Sequence, residues 1–287
     1  MTGSTPFLDP NGPAGRIVYG AKRLTPAPIW RAMTTPYWWW YNRGRHQLAG
    51  AFSAKKKQSI RQLEAMRDIH KGRRCFILGN GPSLRKMDLS PLRDEFTFGL
   101  NRIYLLFPEM GFETSYFVAI NTLVIEQCAE DIQALEMPKF ITWRGRRWLR
   151  NDPKVIFLDT DYTDPPAFAT DIAGRVFEGS TVTYVAMQIA FHMGFEEVIL
   201  IGVDHSFTSK GRPNETVVSA GEDPNHFSPN YFDRGFRWQL PDLEASERAY
   251  RMAQQAFEEH GRRIVDATVG GKLKVFPKVN YRDLFQA

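Results

Sequence analysis

Residues 75–83 read CFILGNGPS, four consecutive apolar residues followed directly by a turn with two glycines. A short apolar run of this kind predicts a strand that is buried on both faces. Gly79 and Gly81 permit a tight turn and a close approach of the backbone to a ligand. Ser83 is placed to cap the next segment, which would leave N–H groups free for a phosphate. Since neither a Walker loop nor a Gly-x-Gly-x-x-Gly pattern is present, a plain structural turn is the alternative.

Six further apolar runs follow along the chain. They occupy residues 96–100, 116–120, 140–143, 155–158, 198–203 and 263–267. Helical patterns are predicted over residues 54–70, 123–135, 181–193 and 243–259. Strands that alternate with helices indicate an α/β fold, a doubly wound, mostly parallel, Rossmann-like sheet with helices on both faces. In such sheets ligands bind beyond the carboxyl ends of the strands.

The chain is predicted to have two parts: a basic, Trp-rich N-terminal appendage over residues 1–54, and a nucleotide-binding catalytic domain over residues 55–287. The appendage carries PYWWWY at residues 36–41, flanked by Arg31, Arg43 and Arg45. Residues 1–73 hold thirteen Lys or Arg and three Asp or Glu, a net charge of +10. This composition favours binding of the appendage to an anionic membrane or glycolipid surface. Packing of the rings on the body and a solvated basic face are the alternatives.

Other features bound the cellular context. No run of about 18 apolar residues is present, and the first twenty residues lack the pattern of a secretory signal. Cys75 and Cys128 are expected to be buried free thiols, which fits a reducing compartment. We therefore expect a cytoplasmic protein that contacts the inner face of the membrane peripherally.

Polar residues follow three of the predicted strands. Asn101 and Asn121 end the second and third runs, and asparagine can read a base or a sugar hydroxyl without adding charge. Asp204 and His205 directly follow the sixth run. As the carboxyl ends of parallel strands share one edge, these residues are predicted to meet at a ligand site. Single residues of these types also serve as turn formers.

A long loop without helical or strand periodicity follows. Its residues 222–232 include Asp223, His226 and Tyr231. Such loops are often functional, and this one could close over a bound ligand. Metal ligation by its Asp and His residues together with Asp204 and His205 is an alternative, although the spacing matches no specific metal motif. A basic, aromatic segment, WRGRRWLR at residues 143–150, suits the phosphate or carboxylate of a substrate or a plain surface helix start.

Several of these segments resemble bacterial lipooligosaccharide sialyltransferases, glycosyltransferase family 42. The similar segments are GNGPSL at residues 79–84, LNRIY at 100–104, AINTL at 119–123 and GFEEVILIGVD at 194–204. The same blocks also resemble the 6-hydroxymethylpterin diphosphokinase-like domain family. The sequence DHSF at residues 204–207 and the sequence of residues 225–232 are most similar to members of this second family.

The first resemblance implies a CMP-sugar glycosyltransferase of surface-polysaccharide or lipopolysaccharide synthesis. It would transfer an acidic sugar, sialic acid- or Kdo-like, to a glycan or glycolipid acceptor, with no cofactor required. His226 would be the general base, with His205 and Asp204 in supporting catalytic roles. The donor would be held by a larger set: Gly79, Asn80, Gly81, Ser83, Asn101, Asn121, Ser180, Thr181 and Tyr231. Ser180 and Thr181 belong to GSTVT, which stands where the family has Thr-Ser-Gly.

Two other functions stay open. The second resemblance implies transfer of diphosphate from ATP to a pterin alcohol, a reaction that usually needs Mg²⁺ held by carboxylates. The sequence offers Asp204 and Asp223 but no clear acidic pair. A non-catalytic binding module is the third reading, but the basic segments match no nucleic-acid motif, so nucleic acid is not an expected partner. The sequence is also compatible with a homo-oligomeric state.

Overall fold

The computed structural model describes residues 53–163, 166–209 and 211–286. Its ten strands are β1 (Arg74–Leu78), β2 (Phe96–Leu100), β3 (Tyr116–Ala119), β4 (Lys139–Thr142), β5 (Val155–Asp161), β6 (Arg175–Phe177), β7 (Glu197–Ile201), β8 (Thr216–Val218), β9 (Arg237–Gln239) and β10 (Arg263–Asp266). The helices are α1 (Ala54–Ala65), α2 (Phe107–Met110), α3 (Thr122–Gln127), α4 (Ala129–Ala134), α5 (Val182–His192) and α6 (Leu243–Glu259). The predicted appendage, apart from its last two residues, lies outside the described residues.

Eight strands form one parallel sheet in the order β10-β7-β1-β2-β3-β4-β5-β6. The seven predicted strands are all in it, so the predicted doubly wound α/β fold is confirmed. Strand β6 and the antiparallel hairpin β8–β9 were not predicted. Each of these strands has three residues, which is too short to show a sequence period.

The continuous apolar runs arise because the sheet is buried on both faces. Along β1, Cys75 and Ile77 point into one core with α5 and α6, while Phe76 and Leu78 point into the other. Ten of the eleven residues of α5 are buried, so this helix crosses the sheet inside the first core. Burial raises the pKa of the thiols of Cys75 and Cys128, and neither forms a disulfide.

One predicted helix ends earlier than its pattern indicates, and another is divided in two. The first stops at Ala65 because the backbone N–H groups of Asp68 and His70 donate to the carbonyls of His192 and Met193, at the end of α5. The pattern over residues 123–135 is divided into α3 and α4 at Cys128, which has φ −117° and ψ 24°. In the first case tertiary hydrogen bonds override the local helical preference.

The strand order creates one topological switch point. From β1 the chain adds strands outward to β6 and then returns through α5 to place β7 on the opposite side of β1. The connections that leave the carboxyl ends of β1 and β7 therefore lead to opposite faces of the sheet. A crevice opens between them, as in other doubly wound sheets.

Candidate functional site

An open cleft lies at this switch point. Crevices at topological switch points are where doubly wound sheets usually bind ligands. The cleft is lined by the turns after β1, β2 and β7, by the first turns of α5 and α6, and by two residues of the long loop. Nine of the predicted site residues line it: Gly79, Asn80, Gly81, Asn101, Ser180, Thr181, Asp204, His205 and His226.

The two glycines of the β1 turn let it lie directly against the β7 turn. A Cβ atom on Gly79 would be 2.2 Å from the carbonyl oxygen of Gly202, and one on Gly81 would be 1.8 Å from Oδ2 of Asp204. The N–H groups of both glycines donate to carbonyls of Ile201 and Gly202. The space beside the two glycines, which was predicted to admit a ligand, is therefore occupied by the turn after β7. The N–H groups of both glycines are hydrogen-bonded and are not free for a phosphate.

Asp204 joins the same two turns through Ser83. Its Oδ2 accepts from the Ser83 hydroxyl at 2.6 Å, and its Oδ1 accepts from the Ser83 N–H at 3.2 Å. Ser83 is buried and does not line the cleft. The N–H of Ser83, which was predicted to be free for a phosphate, donates to the Asp204 carboxylate instead. Asp204 fixes the geometry of the cleft floor, and both of its carboxylate oxygens are engaged.

Two asparagines that line the cleft have buried oxygen atoms without a hydrogen-bond partner in the described structure. Oδ1 of Asn80 and Oδ1 of Asn101 are buried and have no hydrogen-bond partner among the described residues. Leaving a buried acceptor unpaired costs about 1–3 kcal/mol. Asn101 is also held at φ 51°, in the left-handed region. A ligand with hydroxyl or amino donors would satisfy both oxygens.

Backbone strain is concentrated at the cleft. Six described non-glycine residues have positive φ, and three of them, Asn101, Ser180 and His205, line it. Such conformations cost about 1–3 kcal/mol each and tend to persist at functional sites. The strain therefore marks the same cleft as the unpartnered oxygens.

The histidine of the long loop forms a pair with a buried carboxylate. Nδ1 of His226 lies 2.7 Å from Oδ2 of Asp223, which is 8% exposed. Because an ionised carboxylate only accepts, Nδ1 carries the hydrogen in this contact. Nε2 of His226 has no hydrogen-bond partner in the described part of the chain. A neutral ring held in this way can take a proton at Nε2.

His205 forms a second pair on the opposite wall. Its Nε2 lies 3.1 Å from Oε1 of Glu247 on α6, and Glu247 also binds Arg251. His205 is held at φ 52°, directly after the end of β7. The two histidines therefore differ: His205 is fixed to a helix, and His226 is carried by the loop.

The first turns of two helices point at the cleft. Ser180, Thr181, Val182 and Thr183 line it at the start of α5, and Leu243 and Ser246 line it at the start of α6. The Thr181 hydroxyl accepts from the Thr183 N–H and lies 3.5 Å from the Tyr250 hydroxyl. The N-terminus of α5 has no acidic residue in its first turn, so its partial positive charge favours an anionic ligand, whereas the N-terminus of α6 is capped by the Asp242 carboxylate.

Besides Ser83, two predicted donor-binding residues do not line the cleft. Asn121 caps α3 by accepting from the Leu123 N–H, and its amide donates to Gln239 at 3.4 Å. Tyr231 is 1% exposed, and its hydroxyl accepts from the backbone N–H of Arg102 at 3.2 Å. Burial raises the pKa of Tyr231 well above its usual value, so the phenol stays neutral.

Several lining residues were not predicted. Ser246 and Tyr250 lie one turn apart on the buried face of α6, and Asn225 and Phe207 belong to the long excursion between β7 and α6. Their sequence signal is weak, because i, i+4 spacing on α6 reads equally well as core. Burial raises the pKa of Tyr250 as well.

The basic segment after β4 does not line the cleft. Arg144 pairs with Glu178, just before the Ser180 turn, and the guanidinium of Arg147 stacks 3.9 Å from the Trp148 ring centre. No group of three or more His, Cys, Asp or Glu suited to a metal occurs among the described residues. In the same part of the chain no helix has the length and apolar character needed to cross a bilayer.

The fold defines an α/β protein of the Rossmann-like class with a cleft at its switch point. The family model of the 6-hydroxymethylpterin diphosphokinase MptE-like proteins matches residues 47–210, more than half of the chain. The chain belongs to this family. The second of the two resemblances is thus confirmed, whereas membership of the sialyltransferase family is not.

Comparison with solved structures finds the MAf glycosyltransferase from Magnetospirillum magneticum AMB-1. The two proteins are 13% identical with a TM-score of 0.45, over 82% of this chain and 40% of the other. This chain therefore spans less than half the length of that protein. No curated protein matches.

Proposed function

We propose that this protein is a glycosyltransferase that moves an acidic, sialic acid- or Kdo-like sugar from a CMP-sugar donor to a surface-polysaccharide or lipopolysaccharide acceptor. The observation that carries the proposal is the His226–Asp223 pair, in which His226 lines the same cleft as Asn80 and Asn101, whose side-chain oxygens have no partner in the described part of the chain. The pair is suited to activating a hydroxyl, and the two oxygens are suited to a ligand rich in donors, such as a nucleoside.

The chemistry needs one proton transfer and one substitution. Nε2 of His226 takes the proton of the acceptor hydroxyl as its oxygen forms a bond to the anomeric carbon. The bond from that carbon to the phosphate oxygen breaks, and its electron pair leaves with CMP. Asp223, which accepts from Nδ1, stabilises the imidazolium that results. The positive end of α5, with His205 on the phosphate side, favours the anionic donor and leaving group.

Diphosphate transfer from ATP is the second candidate function, because the family takes its name from 6-hydroxymethylpterin diphosphokinase. The Mg²⁺ that this reaction usually needs prefers carboxylate oxygens. Both oxygens of Asp204 accept from Ser83, and Asp223 accepts from His226 and Asn225. Glu247 is held by His205 and Arg251. Because these carboxylates are already hydrogen-bonded or ion-paired, they do not fit a Mg²⁺ site.

Calorimetry with CMP and with ATP distinguishes the two candidate functions, and substitution of Asn101 tests the role of its side chain. CMP is expected to bind the wild-type protein in EDTA, and Asn101→Ala is expected to weaken binding by about 1–3 kcal/mol because a ligand donor loses its partner. Asn101→Gly is the matched variant, since it keeps the left-handed backbone without strain. Asn214, which has φ 62° and lies outside the cleft, supplies the control substitutions.

The results can contradict the proposal in two ways. Weakening by Asn101→Ala alone, with normal affinity in Asn101→Gly, would mean that backbone conformation and not the amide matters. Binding of ATP only with Mg²⁺, and no binding of CMP, would favour diphosphate transfer instead.

A membrane role for residues 1–54 is proposed from the sequence. Arginines beside clustered Trp and Tyr suit an anionic interface, where charge attraction fades with salt and aromatic insertion persists. Full-length protein is expected to co-sediment with phosphatidylcholine–phosphatidylglycerol vesicles at low salt. Replacing Trp38, Trp39 and Trp40 by Ala should remove the fraction that remains bound at high salt. Equal sedimentation of both proteins at every salt concentration would refute this role.

A further inference from the structure

The ring of His226 lies flat on a second aromatic ring. Its centre is 4.0 Å from the ring centre of Tyr231, and the two planes differ by 7°. The T-shaped neighbour Phe232 lies 4.9 Å away. The stacked Tyr231 ring fixes the orientation of the imidazole plane. The hydrogen bond between Nδ1 and Asp223 fixes the rotation of the ring within that plane.

Tyr231 is itself held at both ends by Arg102. The backbone N–H of Arg102 donates to the Tyr231 hydroxyl, and its guanidinium donates to the Tyr231 carbonyl. Arg102 is buried and directly follows Asn101, the strained residue with the unpartnered oxygen. The support of His226 is thus bonded to the residue next to Asn101.

A second connection reaches the other asparagine. The N–H of Phe227 donates to the carbonyl of Asn80 at 2.8 Å, and the Arg85 guanidinium donates to the Phe227 carbonyl. Phe227 and Tyr231 are both buried. The predicted closing loop is therefore anchored around His226 in this structure, and the histidine is held against the wall that carries Asn80 and Asn101.

We propose that Tyr231 is a positioning residue for His226. This inference rests on the proposed function, in which His226 takes the acceptor proton. The phenol face holds the imidazole plane and attracts the positive charge that forms on it, as aromatic faces attract cations. Asp223 selects the Nδ1–H tautomer, so Nε2 keeps its lone pair for the acceptor hydroxyl. The donor wall and the base are in this way assembled as one preformed unit.

Substitution of Tyr231 separates ring from hydroxyl. Tyr231→Phe keeps the stacked face and loses only the hydroxyl contact with the Arg102 N–H, whereas Tyr231→Leu loses both the face and the hydroxyl. We expect Tyr231→Leu to lower kcat by about 10–100-fold with the Kd for CMP changed less than about threefold, and Tyr231→Phe to have a smaller effect. Tyr162→Leu, at an exposed tyrosine, is the control.

Asp223→Asn tests the tautomer directly. Oδ1 of Asp223 accepts from the Asn225 N–H at 2.9 Å, so the amide oxygen of Asn should keep that place. The amide N–H₂ then faces Nδ1 of His226, which must accept, and the hydrogen moves to Nε2. We expect kcat to fall by about 10²–10⁴-fold, as when a catalytic histidine is held in the wrong tautomer.

Nitrogen-15 NMR of the free protein provides a readout that needs no substrate. The His226 signals should show the Nδ1–H form in wild type, the Nε2–H form in Asp223→Asn and a shifted, broadened resonance in Tyr231→Leu. Unchanged His226 signals in both folded variants would overturn the positioning role whatever the reaction is. Altered signals in a protein that neither binds CMP nor transfers sugar would overturn the proposed function and leave the positioning role standing.

Discussion

Replacing His226 by Ala is expected to lower turnover with a CMP-sugar donor by about 10²–10⁴-fold while the affinity for CMP stays nearly unchanged. The side chain lines the cleft, and its Nε2 has no hydrogen-bond partner among the described residues. Removing it takes away the proton acceptor but none of the unpartnered asparagine oxygens that are suited to a nucleoside. Steady-state kinetics and CMP calorimetry on the same preparation measure the two quantities.

Two further histidines sharpen this experiment. His260→Ala, at an exposed histidine after α6, should leave both quantities unchanged. His205→Asn tolerates the left-handed backbone at this position, so its effect reports the side chain, and we expect weaker nucleotide binding. Loss of turnover in His205→Asn with normal CMP affinity, together with an active His226→Ala protein, would show that the two roles are reversed. Full activity of both would remove histidine from the chemistry.

Gly79→Ala is expected to be among the most destabilising single-methyl additions in the chain. The new Cβ would lie 2.2 Å from the carbonyl oxygen of Gly202, a backbone atom at the end of a buried strand. Because neither strand end can move without breaking the sheet, the cost should reach the upper end of the roughly 1–3 kcal/mol seen for overpacking. Thermal unfolding should show a Tm lowered by roughly 6–12 °C.

Gly174→Ala is the matched control. A Cβ there meets nothing within 4 Å, and the residue does not have a left-handed backbone, so stability should be unchanged or slightly raised. A Tm for Gly79→Ala equal to that of Gly174→Ala would mean that the β1 and β7 turns separate more easily than their packing indicates. CMP affinity of the folded Gly79→Ala protein would then report whether the cleft depends on that contact.

The site residues divide according to the information that their prediction needed. Asn80, Asn101, Asp204 and His205 could be located in advance, because parallel strands bring their carboxyl ends to one edge and each residue directly follows a recognisable strand. Ser83, Asn121 and Tyr231 are also polar, but they do not line the cleft and make protein contacts: Ser83 with Asp204, Asn121 with Leu123, and Tyr231 with Arg102. Residue type and position could not separate these groups, since the choice depends on which partner lies nearest in three dimensions.

The sequence by itself determined the fold class. Seven apolar runs separated by helical patterns specify a parallel sheet buried on both faces, because burial on two faces demands consecutive apolar residues whatever lies against them. It also predicted a site at the carboxyl edge of the sheet, in the turns over residues 79–83 and 202–205, where the structure has a cleft. Only the tertiary structure decided what these residues do. Asp223 and Tyr231 lie three and five residues from His226 in a segment without period, and their contacts with its ring depend on side-chain packing that no repeat encodes.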